Sequence, residues 1–144
     1  MINSHKTAIT RKKLSQPIQY IKKNNLFNGN CLDFGCGRGF DANSLNLDKF
    51  DPHYFPEYPT KKYDTITSIY VLNVVDENEQ QKIIDQIKSL LNENGLAYIA
   101  VRRDSFIEGF NKKGTYQRKV FLKENENCQL IKSDSNFALY KIKN

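Results

Sequence analysis

The stretch "NCLDFGCGRGFD", residues 30–41, sets glycines at 35, 37 and 39, every second position, directly after a short apolar run. A chain can leave a buried strand and turn at once into a helix only where residues tolerate unusual backbone angles. Lacking a Cβ, glycine also lets a ligand approach the main chain. Such a turn belongs at the carboxyl end of a strand in an open α/β sheet, where these sheets bind their ligands. A dinucleotide site would want a further glycine at position 40, which is Phe40, so a nicotinamide-dependent oxidoreductase is disfavoured. Asp33, two residues before the first glycine, suits a ligand with a cationic amine better than one with a phosphate.

The rest of the chain supplies the sheet. Ser15 can cap a helix with Pro17 in its first turn and Leu14, Ile18 and Ile21 on one face. "YDTITSIYVLNVV" reads as a β-branched strand from Tyr63 to about Val71. Asp76 with Glu79 forms a capping-box start, and Ile83, Ile84, Ile87, Leu90 and Leu91 then keep a helical period up to a stop at Asn94-Gly95. "LAYIAV" (96–101) is an apolar run fit for a central parallel strand, and "CQLIK" and "FALYKIK" around the polar "SDSN" form a terminal hairpin. Alternation of this kind implies a parallel sheet with helices on both faces.

With 144 residues, 39% of them hydrophobic, the chain is expected to form one domain: a basic helical segment (1–29) and an α/β core (30–144). No apolar run is long enough to cross a bilayer, and "MINSHKTAITRKK" lacks the hydrophobic middle of a secretory signal, so the expected location is cytoplasmic, with no membrane partner. Cys31, Cys36 and Cys128 have no metal-ligand spacing; they are expected as reduced, mostly buried thiols, and no metal site is expected.

The net charge of +6 is unevenly placed. Residues 1–30 carry +6, residues 31–101 carry −5, residues 102–123 carry +5, and the last 21 residues balance. Two basic segments flanking an acidic middle point to a polyanion, DNA or RNA, if they meet in space; a lysine-rich solvated surface is the plainer alternative.

"LDFGCGRG" is similar to the first motif of class I S-adenosylmethionine-dependent methyltransferases, and "YDTITSIYVLNVV" followed by "LNENGLAYIAV" resembles their fourth and fifth strands. More narrowly, "TAITRKKLSQP", "LDFGCGRG", "DPHYFP", "VLNVV", "AVRRD" and "KKGTYQRKVF" together resemble the methyltransferase domain associated with DNA phosphorothioation gene clusters. The resemblance implies a Rossmann-like fold, S-adenosylmethionine as cofactor and S-adenosylhomocysteine as product. It places Asp33 near the methionine amino group, and Gly35, Cys36, Gly37, Arg38 and Gly39 under the methionine and ribose. Asp51 takes the place of the ribose-binding acid, although an Asp-Pro turn with Pro52 explains it too. His53 and Tyr54 stand nearest the adenine, and Tyr70, Val71, Leu72 and Asn73 line the pocket.

Only eleven residues lie between Asp51 and Tyr63. The usual third strand and its helix have no room, so a reduced sheet of order 2-1-4-5-7-6, with only the last-threaded strand antiparallel, is expected.

Methyl transfer from a sulfonium is an in-line displacement that needs positioning more than any obligatory side chain. "DPHY" (51–54) comes close to the Asp-Pro-Pro-Tyr motif of some DNA amino-methyltransferases, but has His for the second proline and follows the second strand. No Pro-Cys pair is present, and no catalytic residue is assigned. Substrate-binding candidates are Arg11, Lys12 and Lys13 in the leading segment, and Arg102, Arg103, Lys112, Lys113, Tyr116, Gln117 and Arg118 in the loop after the fifth strand. These features support a methyltransferase acting on nucleic acid or a nucleotide-like anion. The alternative is an inactive cofactor-binding module that partners DNA-modification or restriction proteins.

Overall fold

A computed structural model describes residues 12–104 and 108–144. Helix α1 (Gln16–Lys23) leads into β1 (Cys31–Phe34), α2 (Phe40–Leu45) and β2 (Asp48–Phe50). Then follow β3 (Tyr63–Ile69), a 3-10 turn (Leu72–Val74), α3 (Glu77–Ser89) and β4 (Leu91–Arg102). A short pair, β5 (Gly109–Phe110) and β6 (Tyr116–Gln117), precedes the hairpin of β7 (Cys128–Ser133) and β8 (Phe137–Ile142).

The six-stranded sheet has the order β2-β1-β3-β4-β8-β7, and β8 alone runs antiparallel to its neighbours. This is the expected reduced order. Residues 52–62 form neither strand nor helix. Instead Asp51 and Phe55 exchange main-chain hydrogen bonds at 3.0 Å, closing a tight loop. Tyr58 from that loop packs its ring edge-on against Phe50 and Phe34, with centroids 5.2 and 6.5 Å away, and so ties the loop to the core side chains of β1 and β2.

The helices sit on both faces because their apolar stripes demand it. On one side Ile18 and Ile21 of α1 pack with Tyr98, Ala100, Phe137 and Leu139. On the other, Ile83 and Ile87 of α3 join Leu32, Phe34, Ile66, Ile99 and Val101. Burying such side chains is the main favourable term in holding the layers together.

Four local expectations need correction. Helix α3 stops at Ser89, and Leu91 already pairs with Tyr63. Asn94, at φ 65°, and Gly95 then shape a bulge inside β4, where a side chain at 95 would meet the carbonyls of Asn92 and Tyr63. Ser15 begins α1 but makes no side-chain cap; its hydroxyl serves Asp41 instead. The strand from Tyr63 ends at Ile69 because Tyr70 turns to φ 63°. The three cysteines are free but half-buried.

Candidate cofactor and substrate site

Gly35, Gly37 and Gly39 adopt φ of 84°, 58° and 86°, alternate left-handed positions where a Cβ costs about 1–2 kcal/mol each. Their loop hangs on its neighbours through the main chain. The N–H groups of Gly35 and Cys36 donate to the Phe50 carbonyl at 2.7 and 3.0 Å, and the N–H of Gly37 donates to Asp51 Oδ2 at 2.9 Å. Asp51 also accepts at Oδ1 from the N–H groups of His53 and Tyr54, so it both opens the Asp-Pro turn and braces the glycine loop. Arg38 lies over the Tyr54 ring at 5.2 Å, and His53 meets the same ring edge-on at 4.6 Å, so these residues and the glycine turn form one surface; Pro52 is exposed.

Asp33, next to last in β1, is only 3% exposed, with Thr67 Oγ1 donating to its Oδ1 at 3.0 Å. Thr67 is a residue that sequence reasoning missed, because in "YDTITSIY" it reads only as a strand former. Cys36 has its thiol pushed up by burial and then by the nearby carboxylates of Asp33 and Asp51, which keeps it neutral and a poor nucleophile.

The four residues expected to line the pocket after β3 divide. Val71 lies against Gly35, where any added Cβ would strike its Cγ2. Tyr70 holds its unusual backbone by donating its N–H to Ala100 at 2.9 Å. The other two side chains turn inward. Leu72 is fully buried in the core, and Asn73, 1% exposed, spends its amide on the main chain: Oδ1 accepts from Arg102 N at 2.9 Å and Nδ2 donates to the Arg118 carbonyl at 2.7 Å. The Arg118 N–H returns a 2.7 Å bond to the Asn73 carbonyl. Neither side chain is left to face a cofactor.

This clasp carries the segment after β4 to the carboxyl end of the sheet. The expected loop contains a hairpin, β5 with β6, turned at Asn111 to Gly114, with Lys112 and Lys113 exposed at its tip. Tyr116 meets the Phe110 ring edge-to-face at 5.1 Å and carries the Arg118 guanidinium over its own ring at 4.6 Å, while Gln117 is buried. Two expected phosphate ligands are engaged within the chain. Arg102 makes a two-pronged ion pair with Asp104, at 3.0 and 2.7 Å, and Arg103 stacks on Phe121 at 4.0 Å and reaches the Tyr140 hydroxyl.

The leading segment attaches at the same end. Ser15 donates both N–H and hydroxyl to the Asp41 carboxylate, at 3.0 and 2.8 Å, two residues beyond Gly39. Lys12 and Lys13 are exposed just before that anchor; Arg11 lies outside the described residues. Among the described residues no group of three or more His, Cys, Asp or Glu is placed to hold a metal, and no helix is long and apolar enough to cross a membrane.

A Rossmann-like sheet of this order, with a left-handed glycine turn after β1 and an acid after β2, defines the class I methyltransferase fold. The family profile described as "Methyltransferase domain" matches residues 7–136, and the chain belongs to that family. Solved structures agree. A Burkholderia thailandensis 1,6-didemethyltoxoflavin-N1-methyltransferase with bound 1,6-didemethyltoxoflavin and S-adenosylhomocysteine aligns at TM-score 0.61 and 15% identity, covering 88% of this chain and 76% of that one. A DhpI-SAM-HEP complex aligns at 0.59 and 13%, covering 91% and 89%. Magnesium protoporphyrin IX methyltransferase from Synechocystis PCC 6803 aligns at 0.53 and 14%, covering 88% and 80%. At such identities these are likenesses of fold. No curated protein matches the chain in sequence.

Proposed function

We propose that the chain is an S-adenosylmethionine-dependent methyltransferase acting on a nucleic acid or a nucleotide-like anion. The cofactor fits the residues present: three left-handed glycines expose main chain where the methionine and ribose would lie, and buried Asp33 lies two residues before the first of them, near the end of β1. Bound there, the cofactor supplies an activated methyl group to an in-line nucleophile. Asp33 would hold the amino group, the Gly35–Gly39 main chain the methionine and ribose, and Asp51 the ribose hydroxyls. Structural neighbours solved with S-adenosylmethionine or its demethylated product support the choice.

The observation that carries the substrate reading is the Asn73–Arg118 clasp. It fixes a segment rich in exposed cations and rings two residues from Val71, which itself touches Gly35. The likeness to the domain associated with DNA phosphorothioation clusters points the same way. The assay is transfer of labelled methyl from S-adenosylmethionine to mixed DNA, mixed RNA and small aromatic ring compounds. That third arm is motivated by the didemethyltoxoflavin and protoporphyrin enzymes of like fold. Label in the nucleic acids supports the proposal, and label only in the small rings replaces its substrate class.

A second reading is favoured by Asp51, which commits its carboxylate to three main-chain N–H groups in a loop that stands where the third strand would be. An inactive cofactor-binding partner of DNA-modification or restriction proteins could keep such a pocket. Binding of S-adenosylhomocysteine with no transfer to any acceptor would establish it.

A further inference from the structure

Phe110 and Phe121 are 78% and 72% exposed, far more than any other large apolar side chain among the described residues. Single exposed hydrophobes need no explanation. These two lie in one segment, on either side of the residue that Asn73 clasps, and each is part of an ordered aromatic and cationic stack. Phe121 carries the Arg103 guanidinium on its face at 4.0 Å. Phe110 leans edge-on against Tyr116 at 5.1 Å, and Tyr116 carries Arg118 at 4.6 Å. Each ring is thus held by a neighbour on one side and remains largely exposed.

Resting on the nucleic-acid reading above, we infer that this segment binds an unpaired strand, with bases stacked on Phe110 and Phe121 and phosphates held by Lys112, Lys113 and Lys119. Duplexes bury the faces of their bases, so a phenylalanine ring finds no base face to stack on unless the helix is first kinked and unstacked at a cost of a few kcal/mol per step. Unpaired bases present faces that stack on aromatic rings whatever their sequence. Charge selects the same ligand: residues 102–123 carry +5, and the three lysines are exposed within three residues of Phe110 or Phe121 along the chain. An apolar protein partner would have to desolvate those lysines without return, and an acidic one would have no use for both rings. A target base presented unpaired also arrives at the glycine turn without having to be flipped out of a helix.

The test is fluorescence anisotropy with a labelled DNA strand of about 16 nucleotides, the same strand as RNA, and its DNA duplex. S-adenosylhomocysteine binding is measured by calorimetry on the same samples. The expected result is roughly tenfold or tighter preference for either single strand over the duplex, and roughly tenfold loss for each of Phe110→Leu and Phe121→Leu, with Phe→Tyr at either position retaining affinity. Leucine keeps the apolar bulk and removes the ring face, and both positions are exposed, so thermal melting should not move. Equal or tighter duplex binding, or Phe→Leu variants that bind as wild type does, overturns the inference while leaving a nucleic-acid substrate in place. Binding to no nucleic acid at all overturns both, and absent S-adenosylhomocysteine binding removes the cofactor assignment alone.

Discussion

The N–H of Gly37 donates to Asp51 Oδ2 at 2.9 Å, so the turn after β1 and the acid after β2 are one hydrogen-bonded unit. Any ligand resting on the glycines therefore rests on the state of Asp51. Asp51→Asn separates its two tasks. An amide oxygen can keep the bonds from His53 and Tyr54, which then turns an NH2 group toward the Gly37 N–H, donor against donor. Loss of about 1–3 kcal/mol in stability is expected, together with at least a tenfold loss of S-adenosylhomocysteine affinity. Denaturant titration and calorimetry measure the two. Unchanged ligand affinity would show that Asp51 serves the turn alone.

Asn73 yields a prediction of the opposite kind. In Asn73→Asp one oxygen still accepts from Arg102 N, but the other faces the Arg118 carbonyl, acceptor against acceptor. The segment carrying Tyr116 and Arg118 should detach from the end of β3 while the glycine turn stays whole. Affinity for S-adenosylhomocysteine should hold within about twofold, while oligonucleotide affinity or methyl transfer falls by tenfold or more, on the scale of one buried charge-perturbed contact. A parallel fall in both would mean that Asn73 supports the whole sheet edge.

Much of this frame could be read in advance because its causes are local. Alternate glycines behind "NCLDF" force the turn, and the eleven residues between Asp51 and Tyr63 leave no space for a strand and helix. What escaped was set by distant partners. Asn73 in "VLNVV" carries no sign that its amide will meet residues 29 and 45 positions away. Ser15 shows the pattern of a helix cap, yet its partner, Asp41, is 26 positions on. Asn94-Gly95 is ambiguous for another reason, since the same left-handed pair can stop a helix or open a bulge. The β5–β6 hairpin did have a signal, "NKKGT", in which the Asn111 side chain accepts from the N–H groups of Lys113 and Thr115 and Gly114 sits at φ 80°.

Stability should fall on both sides of a plateau in pH. Burial, and then Asp33 and Asp51, raise the Cys36 thiol above its ordinary 9.0, while burial and the bond to Asp48 raise Tyr63 above 10.0. Groups raised in the fold contribute stability that is complete below their unfolded values and is lost as pH climbs through the alkaline range. Asp64 is lowered from 3.8 by the Asn30 N–H and the Asn92 amide, and Asp134 by the N–H groups of Phe137 and Asn136. Their contribution is present above 3.8 and lost as pH falls below it. Urea midpoints measured across pH should therefore hold between about 4 and 9 and decline beyond either end. Cys36→Ala should shallow the alkaline decline; an unaltered alkaline limb would show that this thiol is not what titrates.

Gly35 offers the sharpest separation of fold from ligand. Alanine there meets two obstacles: a backbone at φ 84°, costing about 1–2 kcal/mol for a left-handed residue, and a collision of its Cβ with Val71 Cγ2. Crowding of that kind costs about 1–3 kcal/mol more. Val71→Ala in the same background removes the collision and leaves the backbone strain, so the double variant should recover part of the stability lost by Gly35→Ala. It should not recover S-adenosylhomocysteine binding, because the left-handed strain that remains at residue 35 still disturbs the main chain on which the ligand would rest. Thermal melting and calorimetry on Gly35→Ala, Val71→Ala and the pair complete the cycle. A double variant that binds S-adenosylhomocysteine as tightly as the wild type would move the ligand away from the glycine turn, whatever the melting curves show.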